Sequence, residues 1–339
     1  MVRRGMAPSR ICIGGDTMNE FEMIERYFLP LTRGHAGTAG LLDDAAVLDI
    51  PDGYELVVTS DTLNENVHFL AGETPANIAR KALRVNLSDL AAMGATPLCY
   101  QLNIAFPQKP DEDWLSAFSK TLQEDNEAYG VFCSGGDTTS IKGACLSISI
   151  TAMGLVPKGT AVQRAGAKDG DYIVLTGSIG DASLGLKVLQ DGLDVQSYAH
   201  AVSRYKVPCP RINIERIVRQ YAHAAADISD GLLADCMHIA KASGLGAEID
   251  FDKIIFSGDV QRALDEKIIT PEDALKGGDD YELILAVSPE NLPLMIRELQ
   301  KTKLNPFVIG VFKESNSVLS LLNTLTLCMD DKNLGWKHF

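Results

Sequence analysis

Five short segments of this chain combine oxygen-bearing side chains with glycines or apolar neighbours in a way that solvent-facing charge does not require. Asp227-Ile228-Ser229-Asp230-Gly231 sets two carboxylates and a hydroxyl within four residues, just before an apolar helical run from Leu232. Capping of that helix uses one aspartate and leaves the other to be explained. Thr59-Ser60-Asp61-Thr62 closes a run whose body is Leu56-Val57-Val58, so three side-chain oxygens sit at the end of a strand. Such a set suits a hard cation, or simply a turn. Asp43-Asp44 is a pair of adjacent like charges that either faces water or is held together by a cation. Ser134-Gly135-Gly136-Asp137-Thr138-Thr139 follows the apolar Val131-Phe132, and paired glycines let backbone amides approach a phosphate. Gly277-Gly278-Asp279-Asp280-Tyr281-Glu282 repeats the theme ahead of another apolar run.

Asp89 stands apart from these. Thr74 and Pro75 open a helix as N-cap and first residue. On that helix Ile78, Ala82, Val85 and Asp89 fall within about 40° of one another at 100° per residue. A carboxylate on an apolar stripe is paired, protonated or metal-bound, unless the helix has ended or kinked before it.

The chemistry these residues suggest is narrow. Oxygen-only donors select Mg²⁺ or Ca²⁺ over softer metals. Mg²⁺ with phosphates is the common pairing, and in-line phosphoryl transfer needs mainly positioning and charge neutralisation. No G-x-x-x-x-G-K-[ST] loop, G-x-G-x-x-G, kinase H-R-D or D-F-G, G-x-S-x-G or H-E-x-x-H is present. The six histidines are scattered, which argues against a zinc cluster. The formal charge of −14 argues against nucleic-acid partners. No run of 18 apolar residues occurs, so no membrane-spanning helix is expected. Seven cysteines, none in a C-x-x-C pair, read as reduced thiols of a cytoplasmic protein.

The elements that must position these residues follow from periodicity. The chain has 339 residues, of which 46% are hydrophobic, enough for two domains with real cores. Asn19 and Glu22 form a capping box ahead of a helix with Phe21, Ile24 and Phe28 on one face. Strands are expected at Val47–Ile50, Glu55–Asp61, 98–106 and 146–152, with a helix around Trp114–Leu122. Past a Gly-, Lys- and Pro-rich hinge at Pro157–Asp171, strands are expected at Tyr172–Thr176, Tyr281–Val287 and Pro306–Phe312. Helices are expected at 181–190, 210–222, Leu232–Ser243 and 289–301. This is an α+β chain with an N-terminal mixed sheet with helices (18–155) and a C-terminal α/β domain (156–339). Residues 1–17 carry three arginines and no apolar core, and are expected to be a disordered extension rather than a secretory signal. The less apolar second face of the 98–106 and 146–152 strands, with Ser147, Ser149 and Thr151 in the latter, suits packing against a second copy.

Taken in order, Leu42–Val47 (LDDAAV), Thr59–Leu63 (TSDTL), Val67–Leu70, Asn86–Gly94 (NLSDLAAMG), Gly135–Thr139 (GGDTT), Arg164–Asp171, Asp227–Leu232 (DISDGL) and Gly277–Leu283 (GGDDYEL) resemble the thiamine-monophosphate kinase family. That family is part of the aminoimidazole ribonucleotide synthetase-like superfamily, ATP users without a P-loop. The similarity runs from about Met18 to Phe339. It implies transfer of the ATP γ-phosphoryl group to thiamine phosphate, the last step of thiamine diphosphate biosynthesis, by a cytoplasmic homodimer. Residue by residue, it implies several Mg²⁺ ions on Asp44, Thr59, Ser60, Asp61, Asp89, Asp137, Asp227 and Asp230. It implies ATP contacts from Gly136, Asp137, Arg164 and Ser229. His68, Asp279 and Trp336 would contact thiamine phosphate. No general base is implied: a phosphate monoester is already largely dianionic at neutral pH. The chain departs from the family pattern at Leu42, where glycine is usual, and at Asp279, where glutamate is usual. A hydrogenase-maturation dehydratase of the same superfamily would carry a C-terminal cysteine; here the chain ends Gly-Trp-Lys-His-Phe.

Overall fold

The structure is a computed structural model that describes residues 18–315, 319–323 and 335. Asn19 caps the first element as its sequence suggests. Its side chain accepts from the Glu22 amide at 3.0 Å, and Glu22 accepts from the Asn19 amide at 2.8 Å. Helix α1 (Glu20–Met23) continues through a wide π turn (Ile24–Phe28) and a tight 3-10 turn (Leu29–Thr32). Met23, Tyr27, Phe28 and Leu31 are buried, whereas Phe21 is exposed. The π turn packs more residues per turn and so rotates Phe28 relative to Phe21, which a regular 3.6 period would have aligned.

The first sheet holds β1 (Tyr54–Asn64), β2 (Thr96–Phe106), β3 (Phe132–Ser140) and β4 (Ser147–Pro157) in the order β1-β4-β2-β3. Strand β4 runs antiparallel to β1 and β2, and β3 runs parallel to β2. One face carries Leu102, Ile104, Ile148, Ile150 and Ala152 into a core covered by α2 (Pro75–Ala92) and α3 (Glu112–Tyr129). The other face carries hydroxyls paired across strands, Ser60 with Thr151 at 3.0 Å and Thr62 with Ser149 at 2.7 Å.

The second sheet is β10-β7-β9-β5-β8-β6, antiparallel except for β10 with β7. Its strands are β5 (Tyr172–Leu175), β6 (Ala222–Asp227), β7 (Gly246–Asp250), β8 (Leu283–Val287), β9 (Phe307–Lys313) and β10 (Leu319–Leu322). The helices are α4 (Asp181–Gln190), α5 (Ala199–Lys206), α6 (Glu215–Tyr221), α7 (Leu232–Ser243), α8 (Gly258–Asp265), α9 (Pro271–Lys276) and α10 (Leu292–Lys301). Strand β8 is buried along its length, as its unbroken Leu-Ile-Leu-Ala-Val predicts. Ile284 and Ala286 pack under α7 with Leu232, Leu233 and Ile239. Leu283, Leu285 and Val287 face the other way and join the core of α2 and the first sheet, so one apolar core crosses from one half of the chain to the other.

Several expectations change. Val47–Ile50 is not a strand: among the described residues no strand pairs with it, its Val47 amide donates to the Gly37 carbonyl, and Val47 is exposed. The expected helix 210–222 shrinks to α6, because Ala222–Asp227 pairs with β8 instead. The GGD segment does not follow a strand but lies within β3, held in register with β2 as Gly136 opposite Leu102 and Asp137 opposite Asn103. A Cβ at Gly136 would collide with the Leu102 carbonyl, which explains glycine there. Helices α5, α8 and α9 and strand β7 carry few apolar positions, and β10 spans only four residues, so none of them stood out.

Candidate active site

Strand β1 alternates, so Thr59 and Asp61 turn toward the helix face while Ser60 turns to the hydroxyl face. Beneath them the C-terminal part of α2 presents Asp89. The Thr59 hydroxyl donates to Asp89 Oδ2 at 2.5 Å, and the Asp61 carboxyl is close enough to feel the charge of Asp89. The Asp61 amide donates to Asn86 Oδ1 at 3.1 Å, which fixes the strand end to α2. Helix α2 also packs against β6, whose last residue, Asp227, is almost fully buried. Three carboxylates from β1, α2 and β6 thus converge at one end of α2.

Burial is the largest influence on each, and repulsion from neighbouring carboxylates adds to it at Asp61 and Asp227. Asp61 is pushed up to about 7 by burial, then by Asp89 and Asp279. Burial raises Asp89 too, against the hydrogen bond from Thr59 and the field of Arg164. Asp227 is held well above the ordinary carboxylate range by burial, then by Asp89 and Asp235. A centre that crowds hard oxygens until they resist ionisation fits a multivalent cation, which relieves the repulsion. Without a cation, the sign of the pH effect is set. Carboxylates raised from 3.8 in the fold favour the folded state below about pH 4, and that contribution is lost as pH climbs through about 7. The metal-free protein is therefore expected to melt lower at about pH 8 than at about pH 5, with saturating Mg²⁺ closing the gap. Scanning fluorimetry with and without EDTA measures this; a gap that Mg²⁺ leaves untouched would separate these carboxylates from metal.

The loops 227–231 and 277–282 are zipped together. The Asp279 amide donates to the Ser229 carbonyl at 3.0 Å, Tyr281 to Ile228 at 2.9 Å, and Ile228 to Glu282 at 2.8 Å. Gly278 passes so close to the Ser229 carbonyl that a side chain would not fit. Asp279 and Tyr281 take left-handed φ of 70° and 53°, conformations that non-glycine residues adopt at some cost. The side chains of this motif divide the work. Asp280 is buried and accepts from the amides of Gly180 (2.6 Å) and Ala182 (3.1 Å), securing the start of α4. Glu282 is buried against Arg204, Arg211 and Thr176. Asp279 alone is left facing the site, with Oδ1 accepting from Tyr281 and Oδ2 paired to Lys81 Nζ at 2.8 Å. Lys81 is nearly fully buried and lies 4.0 Å from the centre of the Tyr205 ring.

A second group of expected residues lies elsewhere. Asp44, Gly136 and Asp137, with Asp43, Gln101 and Asn103, line a cavity of about 390 Å³ between β3 and the 36–46 segment. Strands β1 and β3 are three positions apart in the sheet, roughly 14 Å at the usual spacing. Within one chain, then, Thr59, Asp61, Asp89 and Asp227 meet, whereas Asp44, Gly136 and Asp137 form a separate group. Leu42 has φ −101°, so the family's glycine is not needed there; the unusual backbone falls on Ala39, Gly40 and Leu41, all with positive φ.

The remaining expected residues sit around the first group. Arg164 is exposed and its charge reaches Asp89, Asp235 and His238. Asp230 and Ser229 lie half-buried in the loop after β6. His68, in the turn after β1, accepts from the Asn64 amide at Nδ1 (2.9 Å), so the neutral ring carries its proton on Nε2. Trp336 and residues 1–17 lie outside the described residues. Lys81, Asp235 and His238 are additions that the sequence reading missed. A lysine on the buried side of α2 and an Asp-x-x-His spacing on α7 were the available signals.

Comparison with known proteins adds the following. Residues 42–156 match the AIR synthase related protein N-terminal domain, and 168–320 match its C-terminal domain. A thiamine-monophosphate kinase of Caulobacter vibrioides is 39% identical over 322 residues, covering 94% of this chain and 90% of the relative. The crystal structure of thiamine-monophosphate kinase from Stenotrophomonas maltophilia is 35% identical with a TM-score of 0.78, covering 88% of this chain and 96% of that one. A structure of AaThiL complexed with AMPPCP and TMP is 27% identical with a TM-score of 0.75, covering 95% and 97%. With carboxylates gathered at one end of α2, two matched domains and relatives this similar over most of their length, the chain belongs to the thiamine-monophosphate kinase family.

Proposed function

We propose that this chain transfers the γ-phosphoryl group of ATP to thiamine phosphate, forming thiamine diphosphate and ADP. The observation that carries this reading is the convergence of Asp61, Asp89 and Asp227 from three elements, beside an exposed arginine. It is supported by the relative complexed with AMPPCP and TMP, whose fold this chain shares over 95% of its length.

Thr59, Asp61, Asp89, Asp227 and Asp230 would hold Mg²⁺, as would Ser60, Asp44 and Asp137 from the other faces. Bound there, Mg²⁺ would neutralise charge on the two anions that must meet. The chain's own residues do the rest. Arg164 and the Ser229 loop bind the triphosphate, and the closely packed Gly136 backbone lets Asp137 sit flush with it. His68 offers Nε2–H to the acceptor phosphate. Asp279 faces the cationic thiazolium or the pyrimidine amine as an acceptor, its charge balanced by Lys81. Trp336 would stack on the thiazolium.

Because Asp137 on β3 lies roughly 14 Å from the strand of Asp61 across the sheet, and Asp44 lines a cavity with Asp137, we read the site as incomplete in one chain. We place the protein as a homodimer in which the hydroxyl face of β1–β4 packs on a second copy. That copy would bring its Asp44, Gly136 and Asp137 to this chain's Asp61 and Asp89. Residues 18–155 would supply most metal contacts and the dimer face, and residues 156–339 the remainder. Buried reduced thiols at Cys99, Cys133 and Cys236 suit the cytoplasm.

The test is direct. Protein, Mg²⁺, ATP and thiamine phosphate are expected to yield thiamine diphosphate on chromatography, with formation abolished by EDTA. ATP binding without any product would leave a nucleotide-binding protein of another function.

A further inference from the structure

Helix α7 carries a spacing that phosphoryl transfer leaves unused. Asp235 and His238 stand three residues apart and share a face, the arrangement by which a helical carboxylate and histidine hold metals in bundle proteins. The fold brings Asp230 to them from the preceding loop, so that one ligating atom from each of the three lies within 4.8 Å of the other two. Ligands about 2.1 Å from one ion are at most about 4.2 Å apart, so small side-chain rotations would let all three reach it. Asp235 is fully buried. Its Oδ2 accepts from the amides of Ser229 and Asp230, both at 3.1 Å. Its Oδ1 has no hydrogen-bond partner among the described residues. A buried carboxylate oxygen without a donor is costly, and a cation is the ligand that would satisfy it. The other charged neighbours are Asp227, Arg164 and Lys241; the Arg164 guanidinium is exposed and makes no hydrogen bond among the described residues that would hold it against the group.

We propose that Asp230, Asp235 and His238 form a binding site for a first-row transition dication, Mn²⁺, Co²⁺ or Zn²⁺. The imidazole nitrogen separates this site in preference from the oxygen-only groups, which suit Mg²⁺. Asp230 is shared with the nucleotide-metal reading above, but dication binding is measured without ATP or thiamine phosphate, so failure of either reading is visible separately.

The experiment is a Co²⁺ titration of the full-length protein in saturating Mg²⁺, followed by visible absorption. One equivalent that Mg²⁺ does not displace is expected, with affinity falling at least about tenfold in His238→Gln. Wild-type Co²⁺ affinity in a folded His238→Gln variant overturns the proposal. Should that variant not fold, the wild-type protein decides. Spin-echo modulation from a directly bound imidazole nitrogen on added Mn²⁺ supports the site, and its absence overturns it.

Discussion

If Asp227 holds Mg²⁺ as proposed, Asp227→Asn is expected to lower turnover by about a thousandfold or more. The same substitution is expected to raise the melting temperature of the EDTA-treated protein. Asp227 is buried against Asp89, Asp235 and Asp61, and its carboxyl is held well above the ordinary range by that burial and repulsion. A neutral amide of the same shape removes the repulsion. Loss of activity together with gain of metal-free stability distinguishes a cation-holding group from a merely structural one, whose removal lowers both. Asp137→Asn is expected to cost a similar factor in turnover. If Asp137 serves the neighbouring copy's site, dimers that combine one Asp137→Asn chain with one Asp227→Asn chain contain one intact site. A statistical mixture then regains up to about a quarter of wild-type turnover, since half of its dimers are mixed. Verified mixed dimers without any regain would place the whole site in one chain.

Glu282→Ala is expected to be the most damaging single truncation for stability. Its carboxylate is 2% exposed and accepts from Arg211 Nε at 2.6 Å, Arg204 at 3.1 Å and the Thr176 hydroxyl at 2.7 Å. The Thr176 hydroxyl in turn accepts from the Leu283 amide at 2.9 Å, at the start of the fully buried β8. Removing the acid leaves two arginines unpaired in a dry setting, about 3–5 kcal/mol by precedent. For a domain of this size that is on the order of 10 °C in melting temperature. Glu282→Gln keeps two polar atoms in place and is expected to lose less. Calorimetry checks both; a drop in Glu282→Ala no larger than in Glu282→Gln would show that the arginines find other partners.

The legible parts of the fold were those with local causes. The Asn19–Glu22 box and the Thr74-Pro75 helix start are written in single residues whose chemistry fixes the chain direction. The alternation of β4 shows directly because one face is buried and the other carries hydroxyls. Strand β6 was hidden because Ala224, Ala225 and Ala226 have no strand preference of their own; pairing with β8 imposes it. Helices α8 and α9 bury only Val260 and Ala263, and Ala274 and Leu275, too thin a stripe to read. In the site, Asp89 was visible as a charge on an apolar stripe. Asp235 was not, because an acid in the first turn of a helix is ordinarily explained by the helix itself. Nor could sequence say that Asp137 sits across a sheet from Asp61, since that separation depends on strand order.

The apolar core that runs from Leu31 through Leu83 and Leu87 to Leu283, Leu285 and Met295 has a consequence for motion. Helix α2 lies between the two sheets and touches β1, β4 and β6, so the halves of the chain cannot swing apart without wetting their common interior. Substrate admission by a clamshell rotation would expose that interior, so movement of surface segments is the less costly route. The same continuity means that neither half is self-sufficient. Cut at the 157–171 connection and expressed alone, residues 18–155 would present the naked flank of α2 to water, and would be recovered as aggregate unless the other half were supplied with it.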